Sequence, residues 1–355
     1  MFSKMYFIVT LLAIVFSIGA FACSSGGDEA EGYSPDESDL VFINAVPSPE
    51  SLELSIPEKA QESTAKFTHK KAKLGETAEY YLVSRKTMKD LNGGVYYILS
   101  VIEEIMEMPP TSSSDSERVW QAEGPLMALD PTVPRFTVKK KSADEEKFSF
   151  KLEWRPKDSS DGWQKIWWGE MQADPHEARL GEGKIIIDFD TAYEMDPLVT
   201  ERGQLNMDFD TRVGHGRNIE MRLHDLESTD DKDNYGPASG TYDFFEDEDK
   251  NGSFDYEINS NFVVVSDEME TLKIKTSWNS DGSGQSHVEV SGENFGSQSE
   301  GLETIEVQEC WDNSFLSSYY IEYFHFDEEI TGDLADNPVA NDEQGEPESC
   351  PFDFD

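Results

Sequence analysis

A chain of 355 residues, 37% hydrophobic and 12% aromatic, can hold one large domain or two smaller ones around a real apolar core. Its charge is the outlier: 73 acidic residues against 29 Lys and Arg leave a formal net charge of −44. Such a surface repels nucleic acid and anionic lipid headgroups and argues against both as partners; it suits cations, basic partners or a salty habitat.

The amino terminus carries one positive residue, Lys4, and then an uncharged, almost wholly apolar run from Met5 to Phe21. Ala20-Phe21-Ala22 leads into Cys23, and Ser24-Ser25-Gly26-Gly27 follows. A basic start, an apolar stretch and small residues before a cut describe an export signal. The cysteine directly after the cut resembles the lipobox of bacterial lipoproteins, although Ala20 and Phe21 stand where that family usually has Leu and a small residue. The resemblance implies that residues 1–22 are a cleaved signal and that Cys23 is the diacylated first residue of the mature protein. Several acyl chains together make a stable anchor where one is marginal. Ser24, in place of Asp, points by the same resemblance to the outer membrane, on its periplasmic face or at the cell surface. An uncleaved membrane anchor is the other reading of the run. With Cys23 acylated, Cys310 and Cys350 are left as an even pair in an oxidising compartment and are expected to form a disulfide.

Residues 23–39, rich in Ser, Gly, Asp, Glu and Pro, read as a flexible tether. Pro47, Pro49 and Pro57 break the next segment into short extended pieces. Residues 76–108 read as helix, with Val95, Ile98, Leu99, Ile102, Ile105 and Met106 on one apolar stripe, Pro109-Pro110 as a stop, and Asn92-Gly93-Gly94 as an interruption that predicts two helices or a kink. From about Arg118 the period becomes two. Phe148, Phe150, Leu152 and Trp154 alternate with Ser149, Lys151 and Glu153, and the habit recurs through Ile219–Leu223, Leu272–Trp278 and Ile305–Trp311, as in half-buried antiparallel strands. Gly183–Thr191 returns as a near-repeat at Gly203–Thr211; if the two are consecutive strands, Asp188, Asp190, Asp208 and Asp210 fall at opposite ends and Lys184 comes near Asp210.

The predicted fold is therefore mainly β (α+β): a single β-rich domain over 40–326, an antiparallel meander forming a curved half-barrel or barrel, with the N-terminal helical segment packed against it. Residues 327–355 are expected to be an acidic tail, pinned back by the disulfide. The order of elements is similar to half-barrel carriers and lipoproteins of the bacterial envelope, which implies a lipid or other apolar ligand held between sheet and helix. The mature chain as a whole resembles acidic envelope lipoproteins.

Two stretches suggest chemistry. In Glu246–Glu257, "EDEDKNGSFDYE", the side chains of Asp247, Asp249, Asn251 and Asp255 fall where a calcium loop puts ligands. The flanks read as strands, however, Ile258 stands where an EF-hand needs Glu, and Asn251-Gly252 is a common hairpin turn, so a hairpin is the first expectation and calcium the second. In Gly162–Gly169, strand alternation places Trp163 and Trp167 on one face and Trp168 on the other, so that one face shows tryptophan outside the main core, as a patch for sugar or protein. No Gly-x-Ser-x-Gly, Walker loop or dinucleotide fingerprint occurs, and the six histidines are scattered. The expected function is a non-enzymatic, lipid-anchored structural or binding module of the cell envelope, without a cofactor and with protein partners unspecified. The alternative is a calcium-dependent adhesion or carbohydrate-binding module.

Overall fold

The computed structural model describes residues 33–58, 74–121, 131–141, 146–196, 199–228, 237–261, 269–292, 302–326, 339–346 and 350. Cys23 and the apolar run before it lie outside the described residues. Among the described residues no helix is long and apolar enough to cross a membrane.

The chain is mainly β, with three α-helices described: α1 (Glu37–Ile43), α2 (Glu79–Met106) and α3 (Phe189–Met195). It divides into two compact units, where the sequence suggested one domain. One unit takes the described residues of Val15–Glu53 and Asn92–Asp230; the other takes those of Leu54–Leu91 and Asp231–Asp355. The first holds β1 (Ser112–Ser114), β2 (Glu117–Gln121), β3 (Thr132–Lys140), β4 (Lys147–Pro156), β5 (Gln164–Ala173), β6 (Gly181–Asp188), β7 (Glu201–Asp210) and β8 (Arg217–Ser228). The second holds β9 (Ala238–Glu246), β10 (Gly252–Ser260), β11 (Glu270–Trp278), β12 (Gly284–Ser291), β13 (Leu302–Trp311), β14 (Ser317–Phe326) and β15 (Val339–Gln344). Within each unit every strand pairs antiparallel with the next, as the period-two pattern requires. Among the described residues β1 does not pair with β8, nor β9 with β15, so neither unit is the closed barrel that the sequence left open.

Helix α2 runs unbroken through Asn92-Gly93-Gly94, where an interruption was expected. Two glycines cost a helix interior about 2 kcal/mol. Burial outweighs that on either side: Met88 and Leu91 before the glycines, Val95, Leu99 and Ile102 after them, are all buried. Each fully buried side chain of this size contributes about 1.5–3 kcal/mol.

In the β1–β8 unit the inward positions of the strands are aromatic and tightly paired. Phe150 stacks on Trp167 at 4.7 Å, and Phe136 lies 5.9 Å from Trp167 and 6.0 Å from Trp120. The near-repeat is only partly strand. β6 ends at Asp188, whose side chain accepts from Thr191 N–H and so caps α3. Lys184 stands opposite Asp208 rather than Asp210 and pairs with Glu170 at 3.2 Å. The other three carboxylates are taken separately, Asp190 by Arg202, Asp208 by Arg222 and Asp210 by Arg212.

Both predicted ends of the domain move. The expected tether stops short of residue 39: Asp36 caps α1, and Asp39 is buried against Arg118 at 2.5 Å. In the expected tail, β15 pairs with β14, and Cys350 is bonded to Cys310 as the cysteine count suggested.

The first half of α2 lies in the β9–β15 unit against the inward face of its sheet. Ser84 Oγ meets Thr276 Oγ1 at 2.6 Å, Thr276 meets Ser286 at 2.8 Å, and Tyr81 packs on Trp311 and Phe315. The helix begins on a buried carboxylate: the N–H groups of Glu79 and Tyr80 donate to Glu309 Oε1 and Oε2 at 3.1 and 2.7 Å.

Candidate functional site: a cation and aromatic face on β3–β5

The alternation of β4 sets up this face. Phe148, Phe150 and Leu152 are buried inward, so Ser149, Lys151 and Glu153 point the other way. Opposite Leu152 stands Trp167, but opposite Glu153 stands Lys165, so Ile166 is an extra residue in β5. Such a bulge resets the alternation. Ile166 and Trp167 are both buried, and Trp163 is carried to the same side as Trp168. The expected sharing of a face by Trp163 and Trp167 is thus corrected: Trp167 is core, and the two half-buried indoles, Trp163 and Trp168, lie together on the outer face.

Both indoles carry cations. The Arg135 guanidinium lies 3.9 Å from the centre of the Trp163 ring and that of Arg155 lies 5.1 Å from it; Lys165 Nζ lies 3.8 Å from Trp168. A cation over an indole at such distances gains about 0.5–2 kcal/mol. Two carboxylates sit among these cations. Glu153 accepts from Arg135 at 2.7 Å and Lys151 at 2.9 Å, and Glu170 is shared by Lys141 and Lys184. Hydrogen bonds from Lys141 and Lys184 pull the Glu170 carboxyl down to about 2. Burial raises the Glu153 carboxyl, but the hydrogen bonds from Lys151 and Arg135 prevail and hold it below the usual range. Residues 132–173 contain nine basic residues and seven acidic ones, a net positive stretch in a chain of −44. No sequence motif announces it, because the cations alternate with core residues over three strands; only local charge counting finds it.

The acidic hairpin is arranged differently from a calcium loop. Asp247–Asn251 is a closed turn: Lys250 N–H donates to Asp247 O, and Asp247 Oδ1 and Oδ2 accept from the Asn251 backbone and side chain. Asn251 Oδ1 accepts from Ser280 N–H. Asp255 is three residues into β10, opposite Lys275 and Asp243, and is not brought to Asp247. Burial raises its carboxyl. Asp249 stays in the exposed turn. Among the described residues no three His, Cys, Asp or Glu are set to hold a metal ion. The fold does gather two of the scattered histidines: His287 and His325 approach the two oxygens of Glu306 at 2.9 and 3.1 Å, one on each, as a hydrogen-bonded bridge across β12–β14.

An apolar ligand would need space. In the β1–β8 unit a groove of about 280 Å³ is lined by Pro49, Leu52, Glu53, Asn92, Val95 and Tyr96, with Tyr96 54% exposed. That is below the usual range for small-molecule sites. The Glu309 carboxyl is pushed up to about 7 by burial, but it is occupied in capping α2 and has no solvent access. No protein-family model matches this chain, and no curated protein or solved structure matches it either.

Proposed function

We propose that the protein is a non-enzymatic binding module of the cell envelope, lipid-anchored to the outer membrane through Cys23, which presents the outer face of β3–β5 to a carbohydrate ligand. The observation that carries this reading is the pairing of Trp163 and Trp168 with ordered cations on a sheet face turned away from the core. Indoles supply flat apolar area for sugar rings, and fixed cations supply directional donors. The aromatic filling of the inward strand positions favours this face over a lipid held inside. Binding of the purified full-length protein to a polysaccharide panel tests the reading, beside the variants Trp168→Ala and Lys165→Ala. Retained polysaccharide binding that neither variant weakens places the ligand elsewhere and sinks it.

A further inference from the structure

We infer that one end of the β1–β8 unit, formed by α1 and by the β5–β6 and β7–β8 turns, rests on a zwitterionic bilayer surface; this depends on the reading of Cys23 as a lipid anchor. Among the described residues of this unit the exposed large aliphatic side chains are Leu40, Val41 and Val213, at 39, 47 and 52%. Strand register gathers all three at one end. β6 begins at Gly181 opposite Ala173, where β5 ends, and Asp210 at the end of β7 stands opposite Asn218 near the start of β8. The two turns therefore share an end of the sheet. α1 is fixed at the same end: Phe42 meets Phe148 near the start of β4 at 5.8 Å, and Asn44 O accepts from Arg179 N–H in the β5–β6 turn. Asp174 Oδ2 accepts from Val213 N–H and ties one turn to the other. On α1 itself Asp39 and Phe42 are buried, which leaves Leu40 and Val41 on the opposite side of the helix.

Chain length and charge select the occupant. Tyr33, ten residues after Cys23, donates from its hydroxyl to Asp39 on α1. Ten residues reach at most about 35 Å even when fully extended, so acyl chains on Cys23 hold this end close to the bilayer. The two cations of these turns are already paired, Arg179 with Glu103 and Arg212 with Asp210 and Glu182, and Glu37 on α1 is exposed. Such an end has little to offer an anionic headgroup and is compatible with a neutral one. A second copy would bring one chain of −44 against another, a repulsion that three aliphatic side chains do not offset. Aliphatic side chains on an interfacial helix enter the headgroup boundary by about 5–10 Å. This orientation also raises the proposed binding face. β5 runs from Gln164 to Ala173, so Trp163 is carried roughly 30 Å along the strand from this end.

The test uses the full-length protein, as processed by the cell, in vesicles of phosphatidylcholine and phosphatidylethanolamine. With Cys310 bonded to Cys350 and Cys23 acylated, each of the variants Val41→Cys, Val213→Cys and Glu194→Cys takes one environment-sensitive fluorophore. Glu194 is the reference: it is exposed on α3, which follows β6 at the opposite end of the sheet. Lipids that carry a nitroxide near the headgroup are expected to quench the labels of Val41→Cys and Val213→Cys and to spare that of Glu194→Cys. Flotation with the vesicles is measured on the same samples. Protein that does not float overturns the anchor and the inference together. Protein that floats, with the labels of Val41→Cys and Val213→Cys quenched no more than that of Glu194→Cys, overturns the inference and leaves the anchor standing. Blue-shifted emission from both labels without quenching by the nitroxide lipids assigns this end to a second copy or another protein, and it too overturns the inference alone.

Discussion

Glu309 makes the stability of the fold depend on pH in an unusual direction. Its carboxylate is fully enclosed beneath the start of α2, and burial raises the carboxyl from an ordinary 4.5 to about 7 although the Glu79 and Tyr80 N–H groups favour the charged form. The folded protein therefore holds this proton more tightly than the unfolded chain. Its contribution is full below the ordinary value and is lost as pH rises through about 7. At 1.36 kcal/mol per unit, the loss is about 3 kcal/mol. Glu309→Gln cannot titrate. Urea denaturation of both proteins at about pH 5 and about pH 8 isolates the effect, because the depressed carboxyls of Glu153 and Glu170 are already ionised across that window. Native protein is expected to lose about 2–3 kcal/mol more than Glu309→Gln between the two conditions, since a little of the effect is already spent by about pH 5. Equal losses in the two proteins would refute the assignment of the titrating group to Glu309.

Three other expectations follow from single contacts. The disulfide Cys310–Cys350 closes a separation of 40 residues. Chain entropy for that loop amounts to about 4 kcal/mol, so Cys350→Ala should lower the denaturation midpoint, and reductant should do the same to the native protein but not to the variant. Arg118 is 5% exposed and Asp39 7%, and Arg118 also lies 4.6 Å over the Phe42 ring. Arg118→Ala leaves the buried Asp39 short of its cation and is expected to destabilise by about 3–5 kcal/mol, whereas an Arg118→Met/Asp39→Leu double variant should lose less. A loss under about 1 kcal/mol for Arg118→Ala would show that the pair is not the anchor of α1. In the acidic hairpin, Asp247 already spends both oxygens on Asn251. Millimolar calcium should leave the melting temperature of native protein and of Asp249→Ala unchanged; a rise in the native protein alone would revive the calcium loop.

The strands were legible because one side of each sheet is apolar. Ile219, Met221 and Leu223, or Leu272, Ile274 and Trp278, could alternate in no other element, and all six are buried. What escaped the pattern are residues whose environment is made by distant partners. The bulge at Ile166 is invisible in Gly162–Gly169 because both Ile and Trp are good strand residues; it is fixed by the register against Leu152 and Glu153. The Gly pair in α2 looked like a break because its local cost is readable and the burial that offsets it is not. Likewise Arg135, Arg155, Trp163 and Lys165 carry no motif, since the turn and bulge that align them lie between them. Glu309 reads as one acid among 73 until the start of α2 is placed on it.

Gly252 shows how a correct reading can rest on the wrong cause. Asn251-Gly252 marked the hairpin correctly, but the left-handed residue of that turn is Lys250, at φ 69°, and Gly252 already belongs to β10. A Cβ on Gly252 would come within 2.4 Å of the Trp278 ring, and one on Gly284 would come equally close to the Trp311 ring, at the same point two strands further on. These glycines exist to let an indole lie flat across the neighbouring strand. Gly252→Ala and Gly284→Ala must then each push a fully buried Trp aside, at about 1–3 kcal/mol, the usual penalty for overpacking. Gly162, in a left-handed loop with open space around it, supplies the contrast. Gly162→Ala meets only the backbone penalty of about 1–2 kcal/mol and should leave the emission of the buried Trp278 and Trp311 unchanged. The two strand variants should shift Trp278 or Trp311 emission together with stability. Loss of stability without any change in emission would mean that the indoles do not depend on these glycines, and that the paired arrangement is incidental to the folding of the β9–β15 unit.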